Sequence, residues 1–394
     1  METNYPVLYI KRDRIASIKR RHPWVFSRGV LPHDPVDDGT IVEIHSKTKG
    51  YLATGYYQDG SILVRLLSFN GEKIDQDYWD RKISGASTLR FQIGLPNTHT
   101  DAYRLFHGEG DGVPGLIIDI YHDVAVIQCH TIGIHKMLSQ IASALQKSLG
   151  SKLKTIYDKS SNTLPQDYAQ EINDGCLFGS DTSVVINEND NKFQIDLVNS
   201  QKTGFFLDQR DNRQLLKHYC KDKSVLNLYC YTGGFSIYAL NHQAKKVCSI
   251  DASKVAMSAL EDNLRLNGEY NNHHSLTEDV NRYIKSIGQD DFDIIIVDPP
   301  AFAKSIRKRH NAVQAYKRVN AAAISKVSSG GLIFTFSCSQ VIDATLFYNT
   351  ITAAAIETGR KCRVLHNLSQ GADHPVSIYH PEGKYLKGLV LAID

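Results

Sequence analysis

The stretch Ser224–Asp251, SVLNLYCYTGGFSIYALNHQAKKVCSID, constrains the fold more than any other part of the chain. A short apolar run, Val225-Leu226-Asn227-Leu228-Tyr229, reads as a buried strand. The chain then turns through Thr232-Gly233-Gly234, enters an apolar-periodic segment at Phe235, and makes a second run, Val247 to Ile250, that ends on Asp251. Strand, glycine turn, helix, strand and carboxylate is the order of a nucleotide site in a doubly wound sheet. Glycines admit a ligand close to the backbone, and an acid at the second strand's tip can accept from two ribose hydroxyls. The full G-x-G-x-x-G fingerprint is absent, and an ordinary strand-to-helix turn accounts for the loop equally well.

The balance shifts downstream. Phe292 to Val297 is another buried strand, and it runs into Asp298-Pro299-Pro300-Ala301-Phe302. Two prolines cannot continue a ladder, so Asp298 is presented at the strand's carboxyl end, where open α/β sheets bind ligands.

Together with Gln201–Asp211 (QKTGFFLDQRD), Tyr231–Phe235 (YTGGF), Phe336–Ser339 (FSCS), Ala372–Pro375 (ADHP) and Pro381–Gly388 (PEGKYLKG), these motifs follow a known order. The chain resembles the S-adenosylmethionine-dependent RNA methyltransferases that carry an N-terminal PUA domain and methylate cytosine C5. The resemblance implies an α/β protein. Its C-terminal part would be a Rossmann-like class I methyltransferase domain with a seven-stranded, mostly parallel sheet, preceded by a β-barrel PUA domain and a central α+β domain. The expected spans are residues 1–70, 71–190 and 191–394. It further implies S-adenosyl-L-methionine as cofactor and large-subunit ribosomal RNA as partner, and it permits a homodimer.

Cofactor contacts are then expected from Asp208, Gln209, Arg210, Asn227, Tyr231, Thr232, Gly233, Gly234, Phe235, Asp251, Asp279, Asp298 and Pro299. Asp279, beside the short strand Ser275–Thr277, is either a neighbour of the adenine or a helix cap before Val280, and the two roles are compatible. The family pattern makes Cys338 the nucleophile. Carbon 5 of cytosine is too poor a nucleophile until a thiolate has added to C6, and Cys338 follows a strand expected beside the one that carries Asp298. Asp298 is expected to face the cytosine edge near N3, Phe302 to stack on a flipped base, and Lys304–Arg309 to hold flanking phosphates. A methyltransferase acting on guanine N7 would need no thiol. A non-catalytic RNA-binding factor would need neither thiol nor cofactor.

Composition bounds the rest. A formal net charge of +3 offers no global field, so any nucleic-acid contact must come from local patches. One such run is Lys11, Arg12, Arg14, Lys19, Arg20, Arg21 and Arg28, interleaved with His22-Pro23-Trp24-Val25-Phe26. Basic residues among aromatics suit a phosphate backbone and unstacked bases, although a solvated face would look the same. Cysteines at 129, 176, 220, 230, 248, 338 and 362 include no C-x-x-C pair, so neither a metal site nor a disulfide framework is expected. No apolar run reaches signal-peptide or membrane-spanning length, and a cytoplasmic, soluble protein is the expectation.

Overall fold

The computed structural model describes residues 4–303 and 305–394, and the chain gathers into two compact units. The first takes the chain as far as Ile186 and adds Ile195–Phe205 and Ala372–Gly383. The second comprises Asn187–Gln194, Phe206–Gly371 and Lys384–Asp394.

The first unit opens with β1 (Val7–Tyr9), α1 (Ile15–Lys19), β2 (Trp24–Phe26), β3 (Ile41–Ser46), β4 (Gly50–Tyr57) and β5 (Ile62–Ser68), whose strands form one sheet ordered β1-β3-β4-β5-β2. Alternation sets its inner face. Strand β3 buries Val42, Ile44 and Ser46 in turn, and Val42 and Ile44 join Leu8, Ile10, Val64 and Leu66 in a small core. After α2 (Gln76–Gln92) come β6 (Ala102–His107), β7 (Leu116–Tyr121), β8 (Val124–Cys129), α3 (Ile132–Lys136), α4 (Leu138–Leu149), β9 (Thr155–Asp158), α5 (Gln166–Ala169) and β10 (Gly175–Phe178). Their strands make a second sheet ordered β10-β9-β8-β7-β6. Two acidic residues of the Gly108–Gly115 turn, Glu109 and Asp111, are tied into the fold. Asp111 takes a bidentate Arg90 at 2.6 and 2.7 Å, and Glu109 accepts from the Trp24 indole at 2.9 Å. Strands β11 (Ser183–Glu188) and β12 (Asn191–Asp196) form a separate two-stranded ribbon.

The second unit is built on seven strands: β13 (Ser224–Leu228), β14 (Lys246–Asp251), β15 (His273–Thr277), β16 (Phe292–Val297), β17 (Val327–Ser337), β18 (Cys362–Leu368) and β19 (Lys387–Ile393). They lie in the order β15-β14-β13-β16-β17-β19-β18, parallel except for β19, which runs antiparallel to both neighbours. Helices α6 (Arg210–Leu216), α7 (Gly234–Asn241), α8 (Lys254–Asn267), α9 (Val280–Ser286), α10 (Arg309–Lys326) and α11 (Ala344–Thr358) provide the crossovers and cover. Central strands covered on both faces must be apolar almost throughout, and β16 buries Phe292 and Ile294 through Val297. Chain order reverses between β13 and β16, which are directly paired, so the topological switch point lies at their carboxyl ends. Among the described residues no helix is long and apolar enough to cross a membrane.

Candidate active site at the strand tips of the second unit

Beyond β13 the chain is wound tightly: Tyr229, Tyr231 and Gly233 have φ of 57°, 48° and 83°. Gly233 is required twice over. Its φ favours glycine, and a Cβ there would come within 2.0 Å of Leu260 Cδ1. Asp251, at the tip of β14, accepts from the Tyr231 N–H at 3.0 Å through one carboxylate oxygen and from the Ser253 N–H at 2.9 Å through the other. Each oxygen keeps acceptor capacity for a further donor. Asn263 donates to the Thr232 carbonyl at 2.8 Å, while the buried Thr232 Oγ1 makes no hydrogen bond of its own. Beneath the loop, Asn227 donates to Ser236 at 2.8 Å, and the chain of polar groups continues through Ser249 to His273. Asn227 therefore stands under the loop as part of its scaffold. Phe235 is buried against Phe336, ring centroids 5.6 Å apart, and this packing needs Gly388, where a Cβ would meet the Phe336 ring at 2.5 Å.

At the tip of β15, exposed Asp279 caps α9 by accepting from the Arg282 N–H at 2.9 Å. The turn Leu207–Gln209 leads into α6 and brings a second acidic group to the sheet. The Tyr385 hydroxyl donates to Asp208 at 2.6 Å, and Gln209 donates to Asp298 at 2.9 Å while accepting from Asn212 at 2.6 Å. Arg210 is buried, with Nε 3.6 Å from Asp211.

The tips of β16 and β17 carry the remaining candidates. Val297 pairs with Thr335 in parallel register, so Asp298 lies level with Phe336, and Cys338 follows the end of the neighbouring strand by one residue. Pro299 is buried behind Asp298. Ser339 ties the two loops together by donating to the Ala303 carbonyl at 2.7 Å. Cys338 is half-buried, unlike Cys129, Cys220, Cys230 and Cys248, which are buried and whose thiols are all pushed up mainly by that burial, Cys220 to about 11. Tyr316 of α10 is fully buried, and burial pushes its hydroxyl well up, with Ser337, Cys338 and Asp298 in its surroundings. Lys387, the first residue of β19, sits opposite Ser337 and donates to the Ser339 carbonyl at 2.7 Å.

Phe302 is half-buried, and its ring packs edge-on against Tyr316 at 4.7 Å and Tyr229 at 6.4 Å, so it forms part of the wall of this region. Arg307, Lys308 and Arg309 are exposed; Lys304 lies outside the described residues. Sequence reading did not find Tyr385, Tyr316 or Lys387. The first and last stood in plain view inside the PEGKYLKG motif, but only antiparallel pairing of β19 with β17 explains why that motif belongs beside Cys338.

This arrangement has relatives. Residues 104–372 match the family model described as S-adenosylmethionine-dependent methyltransferase, and residues 8–69 match the PUA-like domain. A protein of Aeromonas hydrophila named ribosomal RNA large subunit methyltransferase I is 37% identical over 394 residues, with 98% of each chain covered. A protein of the same name from Aliivibrio fischeri is 36% identical, covering 98% of this chain and 99% of its own. Among solved structures, a methyltransferase complexed with SAH superposes with a TM-score of 0.85 at 23% identity, covering 98% of this chain and all of the other. A SAM-dependent methyltransferase structure from Streptococcus mutans does so with a TM-score of 0.84, also at 23% identity and with the same coverage.

Proposed function

The chain belongs to the S-adenosylmethionine-dependent methyltransferases that carry a PUA-like domain, and from that premise we propose that it methylates C5 of a cytosine in large-subunit ribosomal RNA through a covalent Cys338 adduct. The relatives' name supports the RNA class. The observation that carries the atom specificity is the placement of Cys338. It is a half-buried thiol just past the tip of β17, on the strand adjacent to the one that presents Asp298.

The loop and strand tips fit the cofactor. The buried, unbonded Thr232 Oγ1 and the spare acceptor capacity of Asp251 suit its polar groups, with Asp279 exposed at the next tip for the adenine end. When bound, S-adenosylmethionine supplies an electrophilic methyl group. The protein's own residues do the rest. Cys338, as thiolate, forms a sulfur–carbon bond to C6 and the displaced electron pair makes C5 nucleophilic; after methyl transfer and loss of the C5 proton, elimination returns the electrons to sulfur. Asp298, held by Gln209 through one oxygen, faces the cytosine edge near N3, where its other oxygen, carrying a proton once the base is bound, donates to N3 and offsets the negative charge that develops on the ring. Because a paired base hides C5 and C6, the target must be unpaired or flipped.

Replacing Cys338 by Ala tests the reading. Tritium transfer from labelled S-adenosylmethionine to ribosomal RNA should fall to background in Cys338→Ala, with thermal stability and cofactor binding retained. Undiminished turnover would exclude the adduct and leave an atom that needs no thiol, such as guanine N7.

A further inference from the structure

Lys387 is a buried cation in an unusual setting. Only 6% of its surface is exposed, and among the described residues its ammonium has a single hydrogen bond, to the Ser339 carbonyl at 2.7 Å, and no carboxylate within ion-pairing distance. An ammonium has three donors, and a buried one without a counter-charge is ordinarily costly enough to be replaced by an apolar residue. The carbonyl it holds belongs to the residue directly after Cys338, and β19 pairs with β17 so that Lys387 lies opposite Ser337, the residue directly before it. The ammonium is thus fixed by backbone geometry at the strand end that carries the thiol.

Burial lowers the Lys387 pKa to about 8, and the two charges that oppose this fall are Cys338 first and Asp343, the N-cap of α11, second. The Tyr316 hydroxyl on α10 lies close enough to both Cys338 and Asp298, after β16, for their charges to add to the upward push of its burial. Of these groups Lys387 alone supplies positive charge. Asp298 disfavours a thiolate, and a tyrosine pushed upward by burial stays neutral.

We propose that Lys387 is a positioning residue for catalysis, whose buried ammonium holds Cys338 in the thiolate form and pins the Ser337-Cys338-Ser339 turn. The proposal deepens the cytosine-C5 reading and rests on Cys338 being the nucleophile. At neutral pH the proton leaves Sγ for solvent while Lys387, below its own midpoint of about 8, keeps its own. A cation beside a thiol lowers its pKa from the ordinary ~8.5 and raises the reactive fraction at neutral pH.

The test reads the thiol directly, without RNA or cofactor. Cys338 is alkylated with iodoacetamide from about pH 6 to about pH 10, and its peptide is followed by mass spectrometry so that the other cysteines do not interfere. Wild-type protein should react with a midpoint below the ordinary thiol value of ~8.5, and Lys387→Met should raise that midpoint by about one unit or more, making alkylation at neutral pH about tenfold slower. Lys387→Arg should keep the midpoint near wild type, as should Lys384→Met at an exposed neighbour. A midpoint unmoved in Lys387→Met, with circular dichroism unchanged, would overturn the proposal. Should that variant not fold, a Lys387→Arg midpoint shifted as far as that of Lys387→Gln would overturn it equally. A shifted midpoint combined with full turnover by Cys338→Ala would instead remove the cytosine reading and leave the Lys387–thiol coupling standing, so the two failures are told apart.

Discussion

Lys387 also makes a stability prediction, because its pKa falls from an ordinary 10.5 to about 8 on folding. The sign follows from proton counting. Between those values the unfolded chain binds more protons than the folded one, so raising pH through that window favours folding, and below about 8 the folded protein carries the full penalty of a buried ammonium. Lys387→Met should therefore be more stable than wild type at neutral pH by about 1 to 3 kcal/mol, the lower end reflecting the lost bond to Ser339. The gap should close as pH approaches about 10.5. Melting temperature against pH checks this, and a gap constant across the range would contradict it. Such a residue is legible in sequence only as a motif letter. The strand-end positions of Asp298 and Cys338 could be read because each follows an apolar run that announces a strand end. Lys387, Tyr385 and Gln209 gain their meaning from what they touch, and no local pattern encodes a contact between Gln209 and Asp298 across 89 positions of chain.

Arg213 on α6 and Glu188 at the end of β11 form a fully buried bidentate pair, both bonds 2.7 Å, and the Tyr238 hydroxyl of α7 donates to the same carboxylate at 3.1 Å. This contact clamps the turn of the ribbon onto the helix that follows Asp208-Gln209. Glu188→Gln removes the bidentate carboxylate from the buried guanidinium and should destabilise the protein by about 3 to 5 kcal/mol, whereas Glu188→Leu with Arg213→Met should cost far less. Thermal or urea unfolding of the three variants distinguishes them, and equal losses would mean that packing matters here more than charge. Elements were legible where burial imposed a period. The strands β13, β14 and β16 and the helix α7 fall close to where the apolar pattern places them. Strand β18 was not anticipated because it is an edge strand, with Arg363, Val364, Leu365 and Asn367 exposed and no clean alternation. Helix α11 buries Phe347, Thr350, Ile351 and Ala354 on one face but leaves apolar Tyr348 and Ile356 exposed, which blurs the 3.6-residue signal.

Non-local assembly is what a linear reading reaches least. Ala372–Gly383 belongs to the first unit, where the Arg104 N–H donates to Asp373 at 3.0 Å and Arg90 donates to the Asp373 carbonyl at 2.9 Å. Nothing in the ADHP letters indicates a partner more than 260 residues upstream. Charge behaves in the same way. The chain's net charge of +3 says little, yet Lys11, Arg12, Arg14, Lys19, Arg20, Arg21 and Arg28 are all exposed in the first unit. Lys49 joins them from the turn before β4, and contact with Lys19, reinforced by the charge of Arg12, lowers its pKa. Like charges crowded together in water repel one another, and an RNA backbone relieves that repulsion by exchanging its condensed counterions for them. On the proposed RNA substrate, replacing Arg12, Lys19 and Lys49 together by Gln should reduce the slope of log affinity against log salt by about 2, close to 0.7 per contact on single-stranded RNA, with little change in thermal stability. Fluorescence anisotropy with a ribosomal RNA fragment at several salt concentrations measures the slope directly. An unchanged slope would make this patch a solvated face, and RNA capture would then have to rest on other exposed cations, with Arg307, Lys308 and Arg309 of the second unit next in line.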